Sequence, residues 1–290
     1  MEAYRIERFG SVEGIALRSS EDPRPGLKEI PMRVHASSLN YRDLMVLKGG
    51  GRGPTKIGVV PLSDGAGEVA AIGEGVTRVK IGDRIAGCFH PRWFGGPIKP
   101  DCLTERLGAN LDGMLAEYAV FNEEAVVPLP SHLSFEEAAT LPCAAVTAWI
   151  ALTGHRRVTA GDTVLTQGSG GVAVFALQFA RVLGARVIAT TSTAEKAERL
   201  KALGASDVIN YTETPDWDAK VRELTDGRGV DCIVELGGPD RNVAEGFGGW
   251  RTRQPDWCEP VVVGGGARSL TADWPRHYPR LDQRREPRGF

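Results

Sequence analysis

The feature that most constrains this chain is an alternation that begins at Asp162. Residues 163–167 read as a short apolar strand. The turn Gly168-Ser169-Gly170-Gly171-Val172-Ala173 follows and opens an apolar helix over 172–183. The same grammar continues with a strand at 186–190, a charged helix at 194–203, a strand at 207–210, a helix at 218–225 and a strand at 230–235. Parallel neighbours need a crossover long enough to hold a helix, so strands alternating with helices imply βαβ units and a doubly wound parallel sheet. The fold class expected from this half is α/β.

The turn itself has chemistry. Glycine permits positive φ and lets the backbone approach a pyrophosphate closely. Ala173 is small enough to keep the helix against the strand. The amides of Gly171, Val172 and Ala173 open the helix with their N–H groups facing outward, where anions bind. A glycine cluster alone is a weak signal; between a strand and an apolar helix it predicts a dinucleotide site. Sites for NAD usually place an acid at the end of the second strand to hold the ribose hydroxyls. Here that position reads Ala189-Thr190-Thr191-Ser192-Thr193, with no acid before Glu195. Ser192 and Lys196 offer donors to a 2′-phosphate, so NADPH is expected over NADH. The alternative is that Ser192 caps the next helix and Lys196 is a solvated charge.

The first half reads differently. Short β segments at 32–36, 67–72, 83–88 and 116–120 are separated by turn signals such as Gly73-Glu74-Gly75 and Ile81-Gly82-Asp83. This is the pattern of a small, irregular β domain. A helix is expected over 134–152, capped by Ser134 and interrupted at Pro142. The expected units are 1–125 (β domain), 126–240 (dinucleotide domain) and 241–290 (atypical tail).

Composition excludes several classes. A net charge of −2 over 290 residues argues against nucleic acid as the partner. No apolar run is long enough to span a membrane, and the amino terminus lacks an apolar leader, so a cytoplasmic protein is expected. The five cysteines are scattered without a CxxC pair, which predicts neither a disulfide framework nor a structural zinc.

With these motifs in order, the chain resembles the medium-chain dehydrogenase/reductase superfamily, in its zinc-free quinone oxidoreductase-like branch. The resemblance covers about residues 1 to 240. It is carried by Ser38-Leu39-Asn40-Tyr41-Arg42-Asp43, Asp64-Gly65-Ala66-Gly67-Glu68-Val69, Val79-Lys80-Ile81-Gly82-Asp83-Arg84-Ile85, Gly113-Met114-Leu115-Ala116-Glu117-Tyr118, Ala139-Thr140-Leu141-Pro142 with Thr147-Ala148-Trp149, and Leu203-Gly204-Ala205. It implies a GroES-like β domain before a Rossmann domain, with a small-molecule substrate in the cleft between them and hydride passing to or from C4 of a nicotinamide. It places Asn40 and Thr147 beside the nicotinamide, gives Asp43 the task of fixing the Asn40 loop, and assigns Ser192, Lys196 and Tyr211 to the 2′-phosphate. It also implies a homodimer. Taken without the resemblance, Asn40 reads as a turn residue and Thr147 as a helical hydroxyl bonded to its own backbone.

The zinc-dependent branch needs a Cys near position 40 and a Gly-His-Glu in the next motif. This chain has Asn40 and Asp43, then Ser63-Asp64-Gly65, so no metal is expected. Without a Lewis acid, acceptors that take hydride readily are favoured: quinones, enones or related carbonyl compounds. The alternatives are a nucleotide-binding protein without turnover and, remotely, a zinc alcohol dehydrogenase.

The family pattern fades after Asp240. Residues 241–290 hold nine arginines and no lysine, whereas the first 240 hold all eight lysines. That shift suggests an altered reading frame in this tail, with a short strand at 261–263 and an otherwise bare edge to the parallel sheet.

Overall fold

The structure is a computed structural model that describes residues 1–49, 55–96, 99, 102, 104–154, 157–235 and the backbone of 261–262. The amino-terminal lobe is β. A hairpin of β1 (Glu2–Ile6) and β2 (Ile15–Ser19) sits beside an antiparallel sheet. That sheet contains β3 (Glu29–Ser38), β4 (Asp64–Val69), β5 (Arg84–Gly87), β6 (Tyr118–Asn122) and β7 (Val126–Pro128). Their order is β6-β3-β4-β5-β7. Ile30, Met32, Val69, Ile85, Met114 and Phe121 form its core. Because β7 pairs with β5, this sheet extends three residues beyond residue 125.

Two strands lie earlier or later than expected, for packing reasons. The strand expected at 67–72 is Asp64–Val69. Gly65 lies ahead of the expected strand, yet both it and Gly67 are strand residues crowded by neighbours. A Cβ on Gly67 would stand 1.9 Å from the carbonyl oxygen of Arg33, and one on Gly65 would stand 2.8 Å from Met114 Cγ. The strand expected at 116–120 is Tyr118–Asn122. Pairing with β3 sets Ala119 opposite Met32 and Phe121 opposite Ile30, which turns Ala119 and Phe121 inward. Just past β6, Glu123 is buried. Its carboxylate accepts the amides of Thr77 (2.6 Å) and Arg78 (2.7 Å) and the Lys28 ammonium (3.1 Å). The two amide bonds, more than the cation, hold its pKa down at about 2.

The helix expected over 134–152 is three pieces: α2 (Phe135–Ala139), a π-helical turn at Leu141–Ala145, and α3 (Val146–Thr153). An earlier helix, α1 (Tyr41–Leu47), was not anticipated. Ser134 caps α2 as expected, accepting the Glu137 amide at 3.1 Å. Pro142 has no N–H to donate, and the chain widens into the π turn around it.

The second lobe follows the predicted alternation: β8 (Thr163–Gln167), α4 (Gly171–Val182), β9 (Arg186–Thr191), α5 (Ala194–Ala202), β10 (Asp207–Asn210), α6 (Trp217–Leu224) and β11 (Cys232–Glu235). The sheet is parallel throughout, in the order β10-β9-β8-β11-β12. Here β12 (Val261–Val262) pairs with β11, so the sheet is not bare beside β11. The rest of the tail, and with it the altered-frame reading, lies outside the described residues. On α4, Ala173, Ala176, Leu177 and Ala180 recur at helical spacing and are buried against the sheet. Strand order reverses between β8 and β11, and ligands bind in the crevice beyond the strand carboxyl ends at such a switch point.

Two outcomes follow from these contacts. Gly67→Ala should destabilise the protein by about 3 kcal/mol, the upper end for overpacking, in urea unfolding. For Glu123, the folded pKa lies below the usual carboxylate value. Its stabilisation is therefore present above about pH 4.5 and lost as pH falls towards 2. Unfolding midpoints of Glu123→Gln between those limits should be flatter with pH than those of the unsubstituted protein.

Candidate active site

The crevice beyond β8 is built by its glycine turn. Gly168 has φ +85°, and its amide donates to the carbonyl of Thr190 (3.1 Å), which ties the turn to β9. Gly170 is the N-cap of α4 with extended, negative φ, so its value is not conformational. A Cβ on Gly168 or Gly170 would meet nothing within 4 Å, and no side chain caps the helix. The amides of Gly171, Val172 and Ala173 thus open onto free space at the positive end of the helix. Ala173 is fully buried against the sheet. This is a cradle shaped for a pyrophosphate, and the residues present fit one.

Along the strand ends, the backbone draws the other predicted residues together. Tyr211 directly follows β10, and its amide donates to Thr191 at the end of β9 (2.9 Å). The Thr212 hydroxyl donates to the carbonyl of Ser192 (3.3 Å). Lys196 stands in the first turn of α5. The cap of α5 is Thr193 and not Ser192, since Thr193 Oγ1 accepts the Lys196 amide (3.3 Å). On the same helix Arg199 pairs with Glu195 and Lys201 with Glu198, while exposed Lys196 pairs with no acid among the described residues.

The other side of the cleft is formed by the β lobe. Asn40 is the N-cap of α1. The Asp43 carboxylate accepts the Asn40 amide N–H at 2.8 Å and Arg42 Nη1 at 3.1 Å. The Arg42 guanidinium lies 4.8 Å over the Phe89 ring. Burial raises the Asp43 pKa in spite of these partners. Asn40 Nδ2 donates to Asp64 Oδ2 (3.0 Å). Thr147 is half-buried in the first turn of α3. Its hydroxyl has no hydrogen-bond partner among the described residues, so it is not spent on its own backbone. Leu39, Tyr41 and Leu44 leave apolar surface exposed next to Asn40.

Two residues at this site were not legible in the sequence. Asp64 is fully buried, and desolvation raises its pKa to about 6. Cys143 lies in the π turn, and burial, reinforced by the Asp64 charge, pushes its thiol up to about 12. The thiolate form is thereby disfavoured. Their meeting spans 79 residues of chain, so no local pattern announces it. The helix after Asn40 did carry a signal, because an acid three residues past an Asn is a helix-start pattern. A groove of ≈ 640 Å³ lies elsewhere on the β lobe, near Met1, Pro91, Phe94 and Tyr118, and contains none of these residues.

Among the described residues no group of three His, Cys, Asp or Glu side chains is placed to hold a metal ion. His90 turns Nδ1 to the carbonyls of Cys102 (3.0 Å) and Glu105 (3.3 Å). The residues at this site do not fit a catalytic zinc, which takes three such ligands.

Family models match two stretches: an alcohol dehydrogenase GroES-like domain over 26–131 and a zinc-binding dehydrogenase over 171–247. A zinc-type alcohol dehydrogenase-like protein of Schizosaccharomyces pombe is 44% identical over 212 residues, 72% of this chain and 61% of that protein. A quinone oxidoreductase of Pseudomonas aeruginosa is 32% identical over 244 residues, 82% of this chain and 67% of that protein. The chain thus spans about three fifths to two thirds of the length of these relatives. A solved structure from Sinorhizobium meliloti, provisionally named an alcohol dehydrogenase, is 39% identical with a TM-score of 0.82, covering 91% of this chain and 76% of that one.

The raised pKa of Asp64 has a definite sign. Its contribution to stability is full below about pH 4 and is lost as pH rises through about 6, and Asp43 acts in the same direction. Between pH 4 and 7 the protein should lose on the order of 2 kcal/mol that Asp64→Asn does not lose, measured by urea unfolding at each pH.

Proposed function

The chain belongs to the medium-chain dehydrogenase/reductase superfamily, and from that premise we propose that it is an NADPH-dependent, zinc-free oxidoreductase that passes hydride to a quinone, an enone or a related carbonyl compound. The observation that carries this reading is the open glycine turn at Gly168, seated at the switch point of a parallel sheet. Bound NADPH supplies the hydride. The chain's own residues do the rest. The amides opening α4 hold the pyrophosphate. Ser192, Lys196 and Tyr211 rim the ends of β9 and β10, where a 2′-phosphate meets a cation with no acid partner among the described residues. Asn40 and Thr147 flank the nicotinamide, and Leu39, Tyr41 and Leu44 offer apolar surface to a flat acceptor.

Asn40, Ser63 and Asp64 stand where a zinc branch would keep ligands. Without a Lewis acid to polarise a simple alcohol or ketone, the acceptor must take hydride unaided. Cys88, Cys102 and Cys143 are free thiols, which suits a reducing compartment such as the cytoplasm. No helix among the described residues is long and apolar enough to cross a membrane.

A fluorescence titration with NADPH and NADH tests the cofactor site. NADPH should bind at least tenfold more tightly. Lys196→Ala should weaken NADPH by roughly tenfold, the loss of one charge-assisted hydrogen bond of about 1.5 kcal/mol, and leave NADH within twofold. Oxidation of NADPH by a benzoquinone or an enone, unchanged by a chelator, is the expected turnover. Preference for NADH would overturn the cofactor assignment, and binding without turnover would overturn the enzymatic one.

A further inference from the structure

Asp64 lies in the segment Ser63-Asp64-Gly65, which the sequence marked as lacking a histidine and as the start of a family-like motif, with no role given to Asp64 itself. The function proposed above leaves it without a task. It is the first residue of β4 and is 0% exposed. Its Oδ2 accepts Asn40 Nδ2 (3.0 Å) and the amide N–H of Cys143 (3.1 Å). Its Oδ1 accepts the Ser63 hydroxyl (2.9 Å). Asn40 opens α1 in the β lobe. Cys143 sits in the π turn that leads into α3, about one turn before Thr147.

We propose that Asp64 is the positioning residue of this site: its carboxylate holds the Asn40 carboxamide and the turn that carries Thr147 at a fixed separation across the cleft, touching neither substrate nor cofactor. The proposal rests on the placement of Asn40 and Thr147 beside the nicotinamide argued above. A carboxylate is an acceptor only, so the Asn40 amide must turn its NH₂ towards Asp64, which leaves Oδ1 towards the first turn of α1, where the capping box brings the Asp43 amide. The amide torsion is otherwise broad and roughly two-fold, and this contact selects one orientation. Asp43 holds the backbone of the same residue, so Asn40 is gripped at both ends by acids. Asp64 makes these three hydrogen bonds to neutral donors. For folding alone, an apolar side chain would cost less than a buried carboxylate so placed. The acceptor pair of this side chain therefore serves the site and not the core.

Two substitutions separate positioning from charge. In Asp64→Asn the amide oxygen keeps both bonds made by Oδ2, and its NH₂ faces a Ser63 hydroxyl able to accept. In Asp64→Ala both bonds are lost. With NADPH and a quinone, Asp64→Ala should lower kcat at least tenfold while KM for NADPH stays within twofold. Asp64→Asn should restore kcat to within threefold of the unsubstituted protein. If Asp64→Asn falls as far as Asp64→Ala, the group acts through its charge or its proton and positioning is overturned. If Asp64→Ala runs at the full rate, no such role exists. A second readout needs neither turnover nor the alanine variant. Removing the anion beside Cys143 lowers the thiol pKa, so iodoacetamide labelling of Cys143 at pH 9, read by peptide mass spectrometry, should rise at least threefold in Asp64→Asn. An unchanged rate would overturn the contact itself, including where Asp64→Ala does not fold. A chain that binds NADPH but reduces no quinone or enone sinks the proposed function, and labelling alone then decides the bridge.

Discussion

The packing of the segment from Phe135 to Thr153 against both sheets sets where the cleft can be. Its first turn belongs to the β lobe. The Phe135 ring stacks on His35 at 4.4 Å, the Arg84 guanidinium lies 4.6 Å from the centroid of the same ring, and Ala138 and Ala139 close on Ala66 and Ala86. Its last turns belong to the dinucleotide lobe, where Ala148, Ala151 and Leu152 are buried with α4 and the Trp149 and Phe179 rings meet edge to face at 5.5 Å. Between these anchors the chain cannot stay α-helical, because Pro142 brings no N–H. The π turn that results presents the Cys143 amide to Asp64. One local defect thereby joins the helical segment to the β lobe at Asp64, which also holds Asn40.

The site also shows how environment, more than residue type, sets the state of a buried acid. Glu123 and Asp64 each accept three hydrogen bonds and each is almost fully buried. Two short amide bonds and the Lys28 cation on Glu123 outweigh its desolvation, and the pKa falls to about 2. The donors on Asp64 are neutral and somewhat longer, and Asp43 adds a like charge nearby, so desolvation wins and the pKa rises to about 6. The first acid staples a loop to the sheet. The second joins Asn40 to the Cys143 amide, where neutral donors leave its desolvation uncompensated.

Much of the dinucleotide lobe was legible from local pattern. Its four expected strands and three expected helices occur within a residue or two, because strand and helix periodicity and glycine turn chemistry are written over short stretches of chain. The β lobe was harder for a stated reason. The strand expected from Gly67 begins at Asp64, and Gly65 and Gly67 both lie in it where Met114 and the Arg33 carbonyl leave no room for a side chain. The helix after Asn40 went unread although its cap pattern was present, since α1 buries little more than Val46 and Leu47. Ser192 was a fair cap candidate, but the helix begins one residue later, at Thr193.

By itself, then, the sequence determined the alternation of strands and helices, the open turn at Gly168, the lack of an acid at the end of β9, and the absence of zinc-type ligands at Asn40 and Ser63. Each of these is a property of neighbouring residues. The tertiary structure alone decided that Asp64 meets Asn40 and Cys143, that the helical segment splits at Pro142, and that Lys196 is left without an acid among the described residues while its neighbours are paired. These depend on groups up to 79 residues apart brought within 3.1 Å, and on desolvation, which exists only once the chain has folded around a charge.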